Sequence, residues 1–305
     1  MIRGKAPPHD HDLGLQHDLG AFLNRRRALA LVASASAIGA LSALGKGRIF
    51  PTAQAEAIAQ ASDGRECLLD PTETEGPFPG DGSNNAHGTL ANVLKSSGIV
   101  RRDMRTNIAK TAIAAEGQAF DLEITLVNVR QACAPLAGHA IYLWHCDALG
   151  RYSIYDLPNA SYLRAVGVTN SVGNAAFTTI FPGCYPGRYP HIHFEVYMSL
   201  ERATSYKNRL LTSQMAMPAD ACRTIYAASK RYGASAANFT SVRVERDDVF
   251  ADSTPRQIGT DADGDGRRFR RVQGGVDDWD KCVALSLRQV ASRLRCAAAG
   301  FRRRQ

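Results

Sequence analysis

From residue 120 the chain alternates between apolar and polar positions. Phe120, Leu122, Ile124 and Leu126 are separated by Asp121, Glu123 and Thr125, the period-two pattern of a strand with one buried face. Residues 138–147, 175–181 and 190–198 predict three more strands, and 241–245 a fifth, with turn residues between them at short intervals. One helix is expected, with Pro218 at its start, a body over 219–231 and Gly233 as its stop. Residues 70–90 are rich in Pro, Gly, Asn and Thr and read as ordered irregular chain. Residues 281–299 fit two periods. Val283, Leu285 and Leu287 suit a strand, whereas Val283, Leu287, Val290 and Leu294 suit a helix. The sum is an all-β protein: a single β-sandwich domain with an irregular N-terminal segment and one or two peripheral helices.

The first 55 residues read as an address. Arg25, Arg26 and Arg27 precede an Ala/Ser/Gly-rich apolar stretch from Ala28 to Leu44, and Ala53-Gln54-Ala55 forms a small-x-small cleavage site before Glu56. The stretch is too short and too weakly apolar for a comfortable membrane span. Adjacent arginines before it resemble a twin-arginine export signal, so the mature protein is expected in the periplasm or secreted, meeting the membrane only during export. The domain plan is then a signal peptide over 1–55, a leader and irregular segment over 56–110, the sandwich over 111–250 and a basic C-terminal extension over 251–305.

Composition changes this picture little. The 305 residues are 45% hydrophobic and 22% charged, an ordinary globular profile. The net charge of +8 comes from the ends: residues 1–55 hold 7 Lys/Arg against 3 Asp/Glu, and 256–305 hold 12 against 6. The stretch between is near neutral, which argues against a nucleic-acid partner. Seven cysteines include no C-x-x-C pair, so a zinc ribbon or thioredoxin-type site is not indicated. In an exported chain some would pair, with connectivity open and at least one unpaired within the chain.

The chemistry is concentrated in Phe181-Pro-Gly-Cys-Tyr185-Pro-Gly-Arg188-Tyr-Pro-His191-Ile-His193-Phe-Glu195. On a strand His191 and His193 share one face while Ile192, Phe194 and Val196 take the other. Two imidazoles on a rigid strand make a metal half-site, although H-x-H alone fits two half-exposed strand histidines better. The turn before them, stiffened by Pro182, Pro186 and Pro190, can bring Tyr185 and Arg188 over the same face. A cupin site needs a Glu four or five residues after the second His, where Tyr197 and Met198 stand, and H-E-x-x-H is absent. Asp261, Asp263, Asp265 and Gly266 open like a calcium loop, but Val272 occupies the position of its bidentate Glu, so a turn is the simpler reading. His145 suits a core or supporting role better than ligation.

Together with Trp144-His-Cys-Asp-Ala-Leu-Gly150-Arg151-Tyr152-Ser153, this segment resembles the intradiol ring-cleavage dioxygenases, nearest to the β chain of protocatechuate 3,4-dioxygenase and its exported relatives. Thr74-Glu-Gly-Pro-Phe78, Ile99–Asp103, Cys133-x-Pro135-Leu136-x-Gly138 and Leu163-Arg164 extend the likeness from about Cys67 to about Phe250. The resemblance implies one Fe(III) per chain held by Tyr152, Tyr185, His191 and His193, with Arg188 as the catalytic cation. It implies a catechol and O2 as substrates, cleavage between the two hydroxyl carbons, a cis,cis-muconate-type diacid and no external reductant. The residue types suit that role, because a trivalent cation drives a phenol to phenolate and anionic oxygens favour Fe(III) over Fe(II). Residues 70–90 and 153–167 are expected to read the catechol's substituents. The rival function class is a non-catalytic exported β-sandwich that binds iron, catechols or carbohydrate. The catechol's identity and the oligomeric state, a homodimer included, stay open.

Overall fold

A computed structural model describes residues 66–109 and 111–258 and, as backbone only, the strands Ile58–Gln60, Arg268–Gln273 and Cys282–Leu287. The described strands run β1 (Ile58–Gln60), β2 (Glu66–Leu68), β3 (Asp81–Ala86), β4 (Thr89–Asn92), β5 (Ala119–Thr125), β6 (Val127–Asn128), β7 (Ala134–Pro135), β8 (Ala140–Trp144), β9 (Arg164–Val168), β10 (Asn174–Ile180), β11 (His191–Tyr197), β12 (Arg209–Ala216), β13 (Arg268–Gln273) and β14 (Cys282–Leu287). Two helices, α1 (Ala219–Ala228) and α2 (Ser235–Ser241), and a single turn, α3 (Pro255–Ile258), complete the set. The twin-arginine segment and the opening of the calcium-like loop, 261–266, lie outside the described residues, and Val272 falls in β13.

The centre is a four-stranded antiparallel sheet in the order β12-β11-β8-β9. A β5–β10 ribbon, paired from Ala119 to Thr125, covers one face. There Leu122, Ile124 and Phe177 of the ribbon join Ile141, Leu143, Ile192, Phe194 and Val196 of the sheet in one apolar cluster. The ribbon keeps the alternation read from its sequence, with Leu122 and Ile124 buried and Ala119 and Asp121 exposed.

Strands β8 and β11 break that alternation, since every residue of both is buried. The sheet's second face is therefore covered too. A second cluster forms there from Val93, Leu94, Ile99, Ala140, Tyr142, Trp144, Tyr152 and Tyr197, with Phe78, Tyr155 and Tyr185 packed at its edge. Its cover comes from the segment expected to be irregular, which contains the β3–β4 hairpin. That hairpin turns at His87 and Gly88, both at positive φ (48° and 79°), as a tight two-residue connection requires.

Arg164, at the start of β9, pins this cover to the sheet. Its buried guanidinium donates to the carbonyls of Phe78 (2.9 Å), Pro79 (2.7 Å) and Ser153 (3.0 Å), and to the hydroxyl oxygens of Ser153 (3.0 Å) and Tyr142 (3.0 Å). A disulfide from Cys67 to Cys133 ties the start of the same segment to the β6–β7 hairpin. Cys146, Cys184 and Cys222 are free and buried.

Four elements depart from the sequence reading. Residues 241–245 form no strand. Ser241 ends α2, Val244–Arg246 is a 3-10 turn, and Val242 and Val244 pack against Tyr189 and Phe239 without a strand partner. The helix expected to reach 231 stops at Ala228, because Ser229 is extended (φ −136°, ψ 119°) and its side chain caps a separate turn, Lys230–Tyr232. Gly233, with φ +47°, does end that run. Strands β9 and β12 were not foreseen. Gly167 interrupts the first, and a Cβ there would lie 2.7 Å from the Phe177 ring. In the second, Thr212, Ser213 and Gln214 sit buried among apolar neighbours. The ambiguous 281–299 stretch is a strand over Cys282–Leu287.

Arg164→Met tests the anchoring of the cover. It strands the Phe78 and Ser153 carbonyls, at about 1–3 kcal/mol each, while the Pro79 carbonyl keeps the Tyr142 hydroxyl, so chemical denaturation is expected to show a loss of about 2 kcal/mol or more. A loss below about 1 kcal/mol would mean that water reaches those carbonyls and the guanidinium holds nothing in place.

Candidate active site

The site lies on the second face of the sheet, where β11 presents His191 and His193. Their side chains are one strand period apart and their Nε2 atoms are 3.0 Å from each other. The Tyr152 hydroxyl oxygen lies 3.2 Å from His193 Nε2 and 3.4 Å from His191 Nε2, and that of Tyr185 lies 3.2 Å from His191 Nε2. The four side chains singled out in the sequence thus converge on one point. Gly150 (φ +81°) lets the two tyrosine-bearing segments meet, since a Cβ there would stand 2.8 Å from Tyr185 Cβ.

Each imidazole is held from behind. His191 Nδ1 lies 2.5 Å from the Tyr189 carbonyl, which can only accept, so Nδ1 carries the proton and Nε2 turns its lone pair to the centre. His193 pairs in register with Trp144 and stacks on it at 4.9 Å and 7°, and Trp144 stacks in turn on Tyr142 at 5.0 Å and 21°. His193 Nδ1 is buried without a hydrogen-bond partner.

Burial governs the charge of all four. It pushes Tyr152 well above the usual phenol range, with Tyr185 adding to the effect. Tyr185 is pushed up to about 12 by burial, against the pull of Arg188. Burial and then Arg188 bring His191 down to about 3, and burial and then His191 push His193 down. As bare side chains they are two neutral phenols and two neutral imidazoles whose lone-pair atoms face one another. A cation between them converts that crowding into coordination, and two oxygens with two imidazole nitrogens are donors suited to iron. The residues fit such an ion.

Arg188 joins the site under a clamp that the sequence reading missed. Its Nε and Nη2 donate to the two carboxylate oxygens of Asp247 (3.0 and 3.2 Å), and Nη2 also donates to Gln214 Oε1 (2.8 Å). Burial works against charge on Asp247, but Arg188 and its hydrogen bonds outweigh it and hold the carboxyl below its ordinary range. Gln214 also donates from Nε2 to the Thr74 carbonyl (2.8 Å), linking Arg188 to the N-terminal segment. Gln214 carried a faint signal as a polar residue in an apolar strand. Asp247, in an acidic loop, carried none.

The N-terminal segment forms a wall. A Cβ on Gly76 (φ +70°) would stand 3.3 Å from His193 Cε1, and the Phe78 ring lies 4.8 Å from that of Tyr152. His145 is a satisfied core residue, bonded to the Cys146 carbonyl and to Thr179 Oγ1, each at 2.7 Å.

Residues 105–231 match a protein-family model described as a dioxygenase. No curated protein matches the sequence. Similar solved structures include a dioxygenase at 24% identity, covering 61% of this chain and 81% of that one with a TM-score of 0.43. Another is an intradiol ring-cleavage dioxygenase from Tetranychus urticae at 23% identity, covering 57% and 82% with a TM-score of 0.39. A third is 3-chlorocatechol 1,2-dioxygenase from Rhodococcus opacus 1CP at 18% identity, covering 54% and 58% with a TM-score of 0.33. The matched span includes Tyr152, Tyr185, Arg188, His191 and His193, and over it the chain is similar to the dioxygenases that this family model describes.

Proposed function

We propose that this protein is a ferric dioxygenase that cleaves a catechol between its two hydroxyl-bearing carbons, consuming O2 and releasing a cis,cis-muconate-type diacid. The observation that carries the reading is the convergence of the Tyr152 and Tyr185 oxygens with the His191 and His193 nitrogens at 3.0–3.4 Å. These four would hold the iron. When bound, Fe(III) supplies the charge that ionises the phenols and the catechol, and the electronic route by which the catecholate ring reacts with dioxygen.

The chain's own residues do the rest. Tyr152 is fully buried, while Tyr185 is only half-buried and is followed by the exposed Pro186 and Gly187, so the open side of the site is at Tyr185. A flat aromatic substrate can approach there and lie toward Phe78 and Tyr152. The side chains of Trp144, Phe78 and Tyr152 keep bulk water from the reacting ring. Arg188 places a fixed cation beside the developing negative charge. Its Nη1 is the guanidinium nitrogen without a partner among the described residues and is free to donate to an oxygen of the substrate. The β-sandwich reading is supported by the ribbon and sheet enclosing one core.

We read the mature protein as exported across the cytoplasmic membrane. The twin arginines and the Ala53–Ala55 junction support this, and so does the Cys67–Cys133 disulfide, a bond that persists in oxidising compartments. With both Arg26 and Arg27 changed to Lys, precursor is expected to accumulate inside the cell. Undiminished export of that precursor would overturn the twin-arginine reading.

The metal reading is tested on protein purified from iron-replete medium. One iron per chain and a red-brown colour from tyrosinate-to-iron charge transfer are expected. His193→Ala should lose most of the metal, and Tyr185→Phe should weaken both colour and iron content. A colourless protein with stoichiometric zinc would contradict the assignment. An iron-loaded, coloured protein that changes colour with catechols yet consumes no oxygen would leave a binding module in its place.

A further inference from the structure

We infer that Asp247 is the positioning residue of this site, a single buried carboxylate that aims the Arg188 guanidinium and braces the strand entrance that carries His191. The inference rests on the ring-cleavage reading and deepens it. Asp247 lies outside the family-matched span, in the loop that follows the Val244–Arg246 turn.

The carboxylate accepts from five donors. Two come from Arg188, through Nε and Nη2. One is the backbone N–H of Tyr189, at 2.6 Å to Oδ2. The other two are the N–H groups of Val249 and Phe250, at 3.0 and 3.4 Å to Oδ1, which fold the loop around its own side chain. The pair is almost dry, with side-chain exposures of 7% for Arg188 and 1% for Asp247.

The geometry follows from the fork. Two parallel bonds to a carboxylate leave a guanidinium no freedom to rotate in its plane, which a single bond would allow. With Nε and Nη2 engaged, and Gln214 closing on Nη2, the plane is set and Nη1 is left as the end without a partner among the described residues. Tyr189 links the same carboxylate to the metal half-site, because its N–H donates to Asp247 while its carbonyl accepts from His191 Nδ1. A shift of Asp247 would therefore be felt at Arg188 first, through the side chain, and at His191 second, through the backbone of one residue, Tyr189.

The positioning of Arg188 should matter only while Arg188 is present, and the bracing through Tyr189 should add no more than about twofold. The test is a double-mutant cycle in the iron-loaded protein, with Asp247→Asn, Arg188→Met and both together. Arg188→Met is expected to lower kcat about 10²-fold, and Asp247→Asn about 10-fold or more, with KM moving less than kcat. The double variant should turn over no more slowly than Arg188→Met alone, to within about twofold. Iron content and visible colour should survive in Asp247→Asn. Losses that multiply, or an Asp247→Asn enzyme with unchanged kcat, would overturn the inference.

A second readout does not depend on turnover. In the metal-free protein the Arg188 Nε–H should exchange slowly with solvent by NMR, and Asp247→Asn should abolish that protection. A fast-exchanging Nε–H in the parent would overturn the clamp. If no catechol is turned over by the parent protein, the ring-cleavage reading falls, and this exchange experiment alone decides whether Asp247 fixes Arg188. Should Asp247→Asn fail to fold, Arg188→Lys asks the same question, because it keeps the charge and removes the fork. It is expected to lose at least 10-fold in kcat, and near-parental turnover would contradict positioning by the carboxylate.

Discussion

Two phenol oxygens and two imidazole nitrogens held within hydrogen-bond distance of one another, away from water, are the constraint on which this molecule turns. Bare, the arrangement is poor. Burial keeps all four groups neutral, His193 Nδ1 has no partner, and each unsatisfied buried polar atom costs about 1–3 kcal/mol. Such a cluster persists only if its supports are rigid. The strand spacing of His191 and His193, the Trp144–Tyr142 stack, the Tyr189 carbonyl and Gly150 beneath Tyr185 each remove a way for it to relax.

The rest of the fold serves to keep the second face of the sheet closed. An antiparallel sheet commonly leaves one face to solvent. Here the N-terminal segment and the β3–β4 hairpin lie over it, held by Arg164 and by a disulfide that links Cys67 to a position 66 residues on. That cover turns two half-exposed histidines into buried ones. It also explains why a stretch rich in Gly, Pro and Asn, with little propensity for regular structure, is nonetheless well ordered. The backbone of Gly76 must pass close to His193, and its positive φ leaves little room for another residue.

Much of this was legible in the sequence, for reasons that also mark the limit. Period-two alternation located the β5–β10 ribbon, whose outer face meets solvent. The H-x-H spacing pointed to His191 and His193, and the resemblance to the intradiol dioxygenases pointed to Tyr152, Tyr185 and Arg188, the side chains that the structure gathers. Alternation carries no signal where both faces are buried. There β8 and β11 stand out by aromatic and β-branched content instead, whereas β9, interrupted by Gly167, and β12, with its Thr-Ser-Gln run, do not. The Val242/Val244 alternation is packing without a strand partner. Asp247 and Arg164 were functionally silent for a different reason. Their roles come from contacts 59 residues away in one case and 85–86 in the other, which no local pattern records. Gln214 shows the intermediate case, a polar residue out of place in an apolar strand, visible as an oddity but not as a link between Arg188 and Thr74.

Ring cleavage between the hydroxyl carbons has a stoichiometry that mere iron or catechol binding cannot imitate. Both atoms of one O2 enter the product and no outside electrons are needed. The decisive measurement is oxygen uptake by the iron-loaded protein over a panel of catechol, protocatechuate, hydroxyquinol and alkyl- or methoxy-catechols, with the products identified by mass. For at least one member, one O2 should be consumed per molecule converted to a muconate-type diacid, without NADH or ascorbate. Oxygen uptake that requires a reductant, or a product cleaved beside rather than between the hydroxyl carbons, would contradict the account.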